Sequence, residues 1–170
     1  MREIVLDTET TGENPKLGHR IIELGCIEVI DGFITGKKYH QYFNPERSVE
    51  AVAKNAHGIS TECLNDKSLF KEVVNEIIRF IGDSTMVAHN ASFDISFLNA
   101  EMKLNGLDPI DKERTIIDTL EIARKLFPNQ KNNLNTLLDR FNLAAEHKDS
   151  RGVLLDAELL AKVYLELKNT

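Results

Sequence analysis

The chain has 170 residues, 42% of them hydrophobic, and a formal net charge of −6. That is enough apolar material for one sizeable core, so residues 1–170 read as a single domain. The acidic balance argues against an extended basic surface that grips nucleic acid by counterion release, and no apolar run approaches the roughly 18 residues of a membrane helix. The first strand begins within a few residues of Met1, which leaves no room for a signal or transit peptide. Cys26 and Cys63 lack metal-ligand spacing and read as ordinary reduced cysteines of a cytoplasmic protein.

In chain order, residues 2–8 read as a buried strand. Residues 20–44 read as two strands joined at Asp31-Gly32, a strong hairpin signal. The stretch 45–60 is irregular, with a short helix and a loop. In 66–82, Phe70, Val73, Val74, Ile77 and Ile81 recur at helical spacing. A short apolar strand follows at 85–89, and helical period returns over 91–106 through Phe93, Phe97, Ala100 and Leu104. Residues 115–118 form a last strand, followed by helices near 119–126, 134–141 and 152–168. A hairpin followed by strands alternating with helices predicts a mixed sheet flanked by helices.

Four acids do not look like surface. In "VLDTETTG" (5–12), Asp7 and Glu9 point to the same side of a strand, because successive side chains alternate faces. Two like charges held so close repel, and partial burial adds a desolvation cost. A divalent cation is the simplest compensation. The threonines around them and Gly12 suggest a tight exit with exposed backbone amides. Asp94, in "VAHNASFDISFLN" (87–99), falls in the first turn of a helix, where the helix dipole favours it by roughly 0.3–1 kcal/mol. That helix directly follows a short buried strand, and the carboxyl ends of strands are where α/β sheets place their sites. Phe93 beside it suits either core packing or stacking on a base. Asp156 is the only charge on a helical stripe of Val153, Leu160, Val163 and Leu167, a costly place for an unpaired carboxylate.

Other polar residues have plainer explanations. Asp118 and Glu121 have the spacing of a helix-start capping arrangement. His19, His40 and His89 read as turn, strand and packing residues, whereas His57 sits before Gly58 in a loop able to close over a ligand. An oxygen-only donor set without a Cys or His cluster favours Mg²⁺ or Mn²⁺ over zinc. Four acids from separate elements suit a two-metal site, whose ions stand roughly 3.5–4 Å apart during phosphodiester hydrolysis.

The segments "VLDTETTG" (5–12), "HNASFD" (89–94) and "GVLLDAELLAKVYLEL" (152–167) resemble, in this order, the three acidic motifs of the DEDD exonucleases. Together with "AHGIS" (56–60) and "DTLEIARKLFP" (118–128), they are similar to the DnaQ-like epsilon proofreading subunits of bacterial DNA polymerase III nearly end to end. The resemblance implies an α/β, ribonuclease H-like fold with a five-stranded mixed sheet and helices on both faces. It implies two Mg²⁺ or Mn²⁺ ions held by Asp7, Glu9, Asp94 and Asp156, and release of nucleoside 5′-monophosphates from a DNA 3′ end. It also implies that Thr10, His57 and Phe93 touch the terminal nucleotide. The implied partners are the polymerase III alpha subunit and other replicase subunits.

The sequence departs from that pattern in two places. The family's histidine branch puts a general-base His five residues before the last acid, where this chain has Arg151. The tyrosine branch puts Tyr four residues before it, where this chain has Gly152. Arginine stays protonated, so it cannot accept a proton from water. His147, nine residues before Asp156, is a candidate substitute base. The second departure is length: epsilon proteins continue into a tail that joins the polymerase and touches the clamp, while this sequence stops at Lys168-Asn169-Thr170. Besides DNA proofreading, the residues are compatible with an RNA-trimming exonuclease. A weakly active or silent binding subunit that has lost its base is a further reading.

Overall fold

The computed structural model describes residues 1–143 and 152–170, so His147 and Arg151 lie outside the described residues. The strands are β1 (Arg2–Thr10), β2 (Ile21–Ile30), β3 (Phe33–Tyr42), β4 (Thr85–Ala88) and β5 (Ile116–Asp118). The helices are α1 (Ala51–His57), α2 (Phe70–Ile81), α3 (Ala91–Leu104), α4 (Thr119–Leu126), α5 (Leu134–Arg140) and α6 (Val153–Asn169). They build one five-stranded sheet in the order β3-β2-β1-β4-β5. The first three strands are antiparallel neighbours, while β4 and β5 join in parallel. The sheet is mixed, as the order of predicted elements requires.

The β2–β3 hairpin turns at Asp31 and Gly32, with φ of 49° and 85°. A two-residue turn of this kind needs positive φ at both positions, which Asp-Gly tolerates. Two boundaries differ from the sequence reading. Strand β1 continues to Thr10 through a bulge at Glu9/Thr10. Beyond it, the Thr11 amide donates to the Arg20 carbonyl at 2.8 Å, and the Thr11 hydroxyl accepts from the Arg20 amide at 2.9 Å. At the exit from β1 the Thr11 amide is therefore paired with the start of β2 rather than open. Helix α2 starts at Phe70, not 66, because the Glu72 carboxylate reaches back to the Leu69 amide at 2.8 Å and fixes the first turn there.

Alternation along β1 divides the core. Ile4 and Leu6, with Leu24, Cys26, Met86 and Ala88, pack against α2 and α3. Val5, with Ile27, Val29 and Val87, packs against Ala157, Leu160, Ala161 and Tyr164 of α6. The outer side of α6 (Leu159, Val163, Leu167) is covered in turn by Ala123 of α4 and by Leu137 and Leu138 of α5. Asp7 and Glu9 share the parity of Val5 and so face α6. Thr8 shares the parity of Leu6 and faces α3. A bidentate pair, half-buried Arg20 to buried Glu101 at 2.7 and 2.8 Å, ties α3 to the start of β2. No helix among the described residues is long and apolar enough to cross a membrane.

Candidate active site

The acids gather at one end of β1. Asp7, Glu9 and Asp156 each offer a carboxylate oxygen lying within 4.8 Å of the other two. Asp7 and Glu9 reach this point from the α6-facing side of β1. Asp156 comes from the first turn of α6, where its amide bonds the Gly152 carbonyl at 2.9 Å. The approach depends on Gly25, the partner of Asp7 in the β1–β2 ladder. A Cβ there would stand 2.8 Å from the Leu154 Cα and the Val153 carbonyl oxygen, so only glycine lets the start of α6 lie against the sheet.

Asp94 enters from the opposite layer. It is buried in the first turn of α3, and its Oδ1 accepts a hydrogen bond from the Thr8 hydroxyl at 2.7 Å. It stands outside the close trio, yet its charge is the strongest of those acting on Asp7. The start of α3 is held by Asp118, whose carboxylate accepts from the amides of Asn90 (3.0 Å), Ala91 (3.1 Å) and Leu120 (2.9 Å). The predicted cap at Asp118 is present, and it serves α3 as well as α4.

Among the described residues, the electrostatics are those of a site short of positive charge. Burial first, then the charges of Asp94, Glu9 and Asp156, raise Asp7 far above the ordinary carboxylate range. Burial and the facing Glu23 push Glu9 up to about 7. Burial likewise raises Asp94, against the pull of the Thr8 hydrogen bond. Carboxylates so crowded and desolvated favour protonation unless a cation shares the site. The donor set is oxygen-only and drawn from both layers of the fold, which fits hard divalent ions.

The residues expected at a terminal nucleotide line one cleft. Glu9, Thr10, His57 and Phe93 border a cavity of about 480 Å³ that runs out to Leu17 and Val52. This volume is in the range that holds small ligands. The Thr10 hydroxyl donates to the Gly12 carbonyl at 2.6 Å. His57 is fixed by its backbone neighbours. Its Nδ1 accepts from the Ile59 amide (3.0 Å), which leaves the proton on Nε2, facing the Thr10 carbonyl (3.1 Å). Burial holds its pKa below the usual value. With both nitrogens engaged, His57 is a wall of the cleft rather than a base. Phe93 lines the cleft and also packs on Phe97, with ring centroids 4.9 Å apart.

Three participants escape a reading built on the acidic motifs alone. Thr8 reads as an ordinary residue at the end of a strand but holds Asp94. Asp118 reads as a cap for its own helix but also fixes the helix that carries Asp94. Glu23 sits directly across from Glu9 and is almost fully buried, bound to His40 Nε2 at 2.7 Å. Its signal was present: an acid within the apolar run "IIELG".

Comparison with known proteins agrees with this geometry. Residues 4–164 match the exonuclease family. The chain belongs to it. The DNA polymerase III subunit epsilon of Rickettsia prowazekii (strain Madrid E) is 47% identical over 169 residues, covering 98% of this chain and 74% of that protein. The corresponding subunit of Salmonella typhimurium (strain LT2) is 44% identical over 173 residues, covering 98% and 71%. The chain thus spans about three quarters of the length of these relatives.

Among solved structures, exonuclease X in complex with 5′ overhanging duplex DNA aligns with a TM-score of 0.77 at 25% identity, over 98% of this chain and 91% of that one. The nuclease domain of 3′hExo, a DEDDh family member bound to rAMP, gives 0.81 at 18% identity, over 99% and 92%. The zinc-bound form of E. coli exonuclease I with single-stranded DNA gives 0.81 at 19% identity, over 99% and 40%. The fold is ribonuclease H-like, as expected. Exonucleases of this family and fold use divalent metal ions, and the carboxylate trio is placed for them.

Proposed function

We propose that this exonuclease-family chain removes nucleoside 5′-monophosphates from single-stranded or frayed DNA 3′ ends. In this reading it proofreads for a cytoplasmic replicase of the polymerase III type, in company with the alpha subunit. The observation that carries the reading is the meeting of Asp7, Glu9 and Asp156 within 4.8 Å beside Asp94, at the edge of a nucleotide-sized cleft. The epsilon relationship supports the replicase assignment.

Asp7, Glu9, Asp94 and Asp156 hold two divalent ions, Mg²⁺ or Mn²⁺. When bound there, such ions lower the pKa of a water and stabilise charge on the departing 3′ oxygen. The protein's own share is binding and orientation. Phe93 offers a ring face to the terminal base, a sequence-tolerant contact worth about 1–3 kcal/mol. Thr10 and neutral His57 bound the sugar and base without adding charge. A paired terminus must unpair to enter, at a cost of a few kcal/mol that is smallest for a mismatch. Selectivity for mispaired ends then follows without reading base identity. Arg151, at the position of the family's general base, stays protonated and suits a phosphate contact rather than proton removal.

The test is release of labelled monophosphates from single-stranded DNA, and from RNA of the same sequence, with Mg²⁺ or Mn²⁺. Metal-dependent release from DNA that disappears in Asp7→Ala is the expected result. Faster release from RNA overturns the DNA assignment, and no release from either overturns the nuclease reading.

A further inference from the structure

Helix α6 brings Asp156 to the acids of β1, and towards its other end it makes a buried polar contact with the same strand. Glu3 is 2% exposed and sits on the same face of β1 as Asp7. The buried Tyr164 hydroxyl donates to Glu3 Oε1 at 2.7 Å. Lys168 Nζ lies 3.3 Å from the same oxygen and 4.9 Å above the Tyr164 ring. Burial, with Glu3 beside it, raises the phenol pKa, so the hydroxyl remains a donor. The three side chains form one unit.

The spacings match. Glu3 and Asp7 are four residues apart in a strand, about 13 Å. Asp156 and Tyr164 are eight residues apart in a helix, about 12 Å. The helix therefore runs antiparallel to β1, with one polar contact at each end of the shared span. Between them the contact is made by Ala157, Leu160 and Ala161. Two of these side chains are single methyl groups, which leave a smooth surface. Apolar burial is non-directional, so a polar contact adds a directional restraint along the axis. A short hydrogen bond to a buried carboxylate is directional, and stranding that carboxylate is costly.

We propose that Glu3, Tyr164 and Lys168 are positioning residues that set the axial register of α6 and so deliver Asp156 to Asp7 and Glu9. The inference rests on the exonuclease reading, in which those acids hold the metal ions.

The experiment measures Mn²⁺ affinity of the DNA-free protein by calorimetry, together with turnover on single-stranded DNA and the melting temperature. Tyr164→Phe is expected to weaken Mn²⁺ binding by about ten-fold, the low end of the loss when partners that orient metal ligands directly are removed. Its kcat falls while KM for DNA is unchanged. Glu3→Gln keeps an acceptor for the phenol but loses the charge that Lys168 faces, so its loss of affinity is smaller than that of Tyr164→Phe. The double variant Glu3→Met/Tyr164→Phe leaves no buried charge stranded, because the exposed Lys168 can turn to water, so it folds with a near-normal melting temperature and still binds Mn²⁺ weakly. Leu167→Ala, on the outer side of α6, lowers the melting temperature without changing Mn²⁺ affinity.

Unchanged affinity in Tyr164→Phe or in the double variant overturns the inference. So does an equal loss in Leu167→Ala, which would reduce the unit to general stability. A wild-type protein that binds no Mn²⁺ and releases no monophosphate overturns the exonuclease reading instead.

Discussion

Glu9 and Glu23 face each other directly across the β1–β2 ladder, on the side of the sheet that carries α6. Like charges opposite one another in an antiparallel pair are destabilising, and burial removes the water that would screen them. Glu23 is bound to His40, and burial first, then the facing Glu23, pushes Glu9 up to about 7. A strand designed only for stability would not place two acids in register here. The pair makes sense where a cation is shared.

The sign of the resulting pH dependence follows from that shift. Glu9 binds its proton more tightly in the folded chain than in the unfolded one, where the ordinary value is 4.5. Asp7 and Asp94 are shifted in the same direction. The folded state is therefore favoured at low pH within this window. Metal-free protein is expected to lose stability as pH rises from about 4.5 to above 7, the reverse of the usual carboxylate case. Thermal melts in chelator at about pH 5.5 and pH 8 measure the effect. Added Mn²⁺ should abolish it, because the cation replaces the protons. A metal-free melting temperature that climbs over this range would contradict the shifts.

Thr8 gives a second test. Its hydroxyl donates to Asp94 at 2.7 Å inside the protein, a bond that favours the charged carboxylate. Thr8→Val keeps the shape and removes the donor. A hydrogen bond to a charged group is worth about 1.5–3 kcal/mol. The variant is therefore expected to bind metal more weakly at neutral pH, with the loss shrinking as pH rises and Asp94 ionises unaided. Metal titrations at several pH values check this. A loss of equal size at all pH values would point to displaced geometry instead.

The acids of β1, α3 and α6 were legible because each breaks a pattern: two charges of one parity in a strand, one at a helix start, one on an apolar stripe. Their partners were not, because each fits its pattern. Thr8 is an ordinary strand residue, and its bond to Asp94 spans 86 positions in sequence. The second role of Asp118 depends on the close approach of the β4 and β5 ends. The end of β1 differs for a similar reason: a threonine-rich stretch before glycine suggests an early exit, while β2 supplies the ladder that carries the strand on to Thr10. Local propensity carries the elements, and tertiary pairing decides their ends.

Gly25 tests the seating of α6. A β-carbon there would meet helix backbone at 2.8 Å, which no rotamer change relieves. Gly25→Ala is expected to cost about 1–3 kcal/mol, the range of overpacked cores. It should also move the first turn of α6 off the sheet. Asp156 is carried by that turn, so metal affinity and kcat should fall beyond what the lost stability explains. Measuring both at a temperature where the variant is fully folded separates the two effects. Normal turnover in a folded Gly25→Ala protein would show that the approach is not needed.

Arg151 poses the sharpest question about rate. A general base typically contributes a factor of about 10²–10⁴, and a guanidinium that never deprotonates cannot supply it. The acids and the residues that line the cleft are other side chains, so binding of metal and DNA should be intact while hydrolysis is slow. Arg151→His is expected to raise kcat with excess Mn²⁺ and single-stranded DNA, leaving KM nearly unchanged. The new rate should also rise with pH through the histidine range, because the imidazole must be neutral to accept a proton. His147→Ala in the parent chain completes the comparison: a drop in its residual rate would assign the remaining base to His147. If Arg151→His brings no increase in turnover, the missing base does not limit this enzyme.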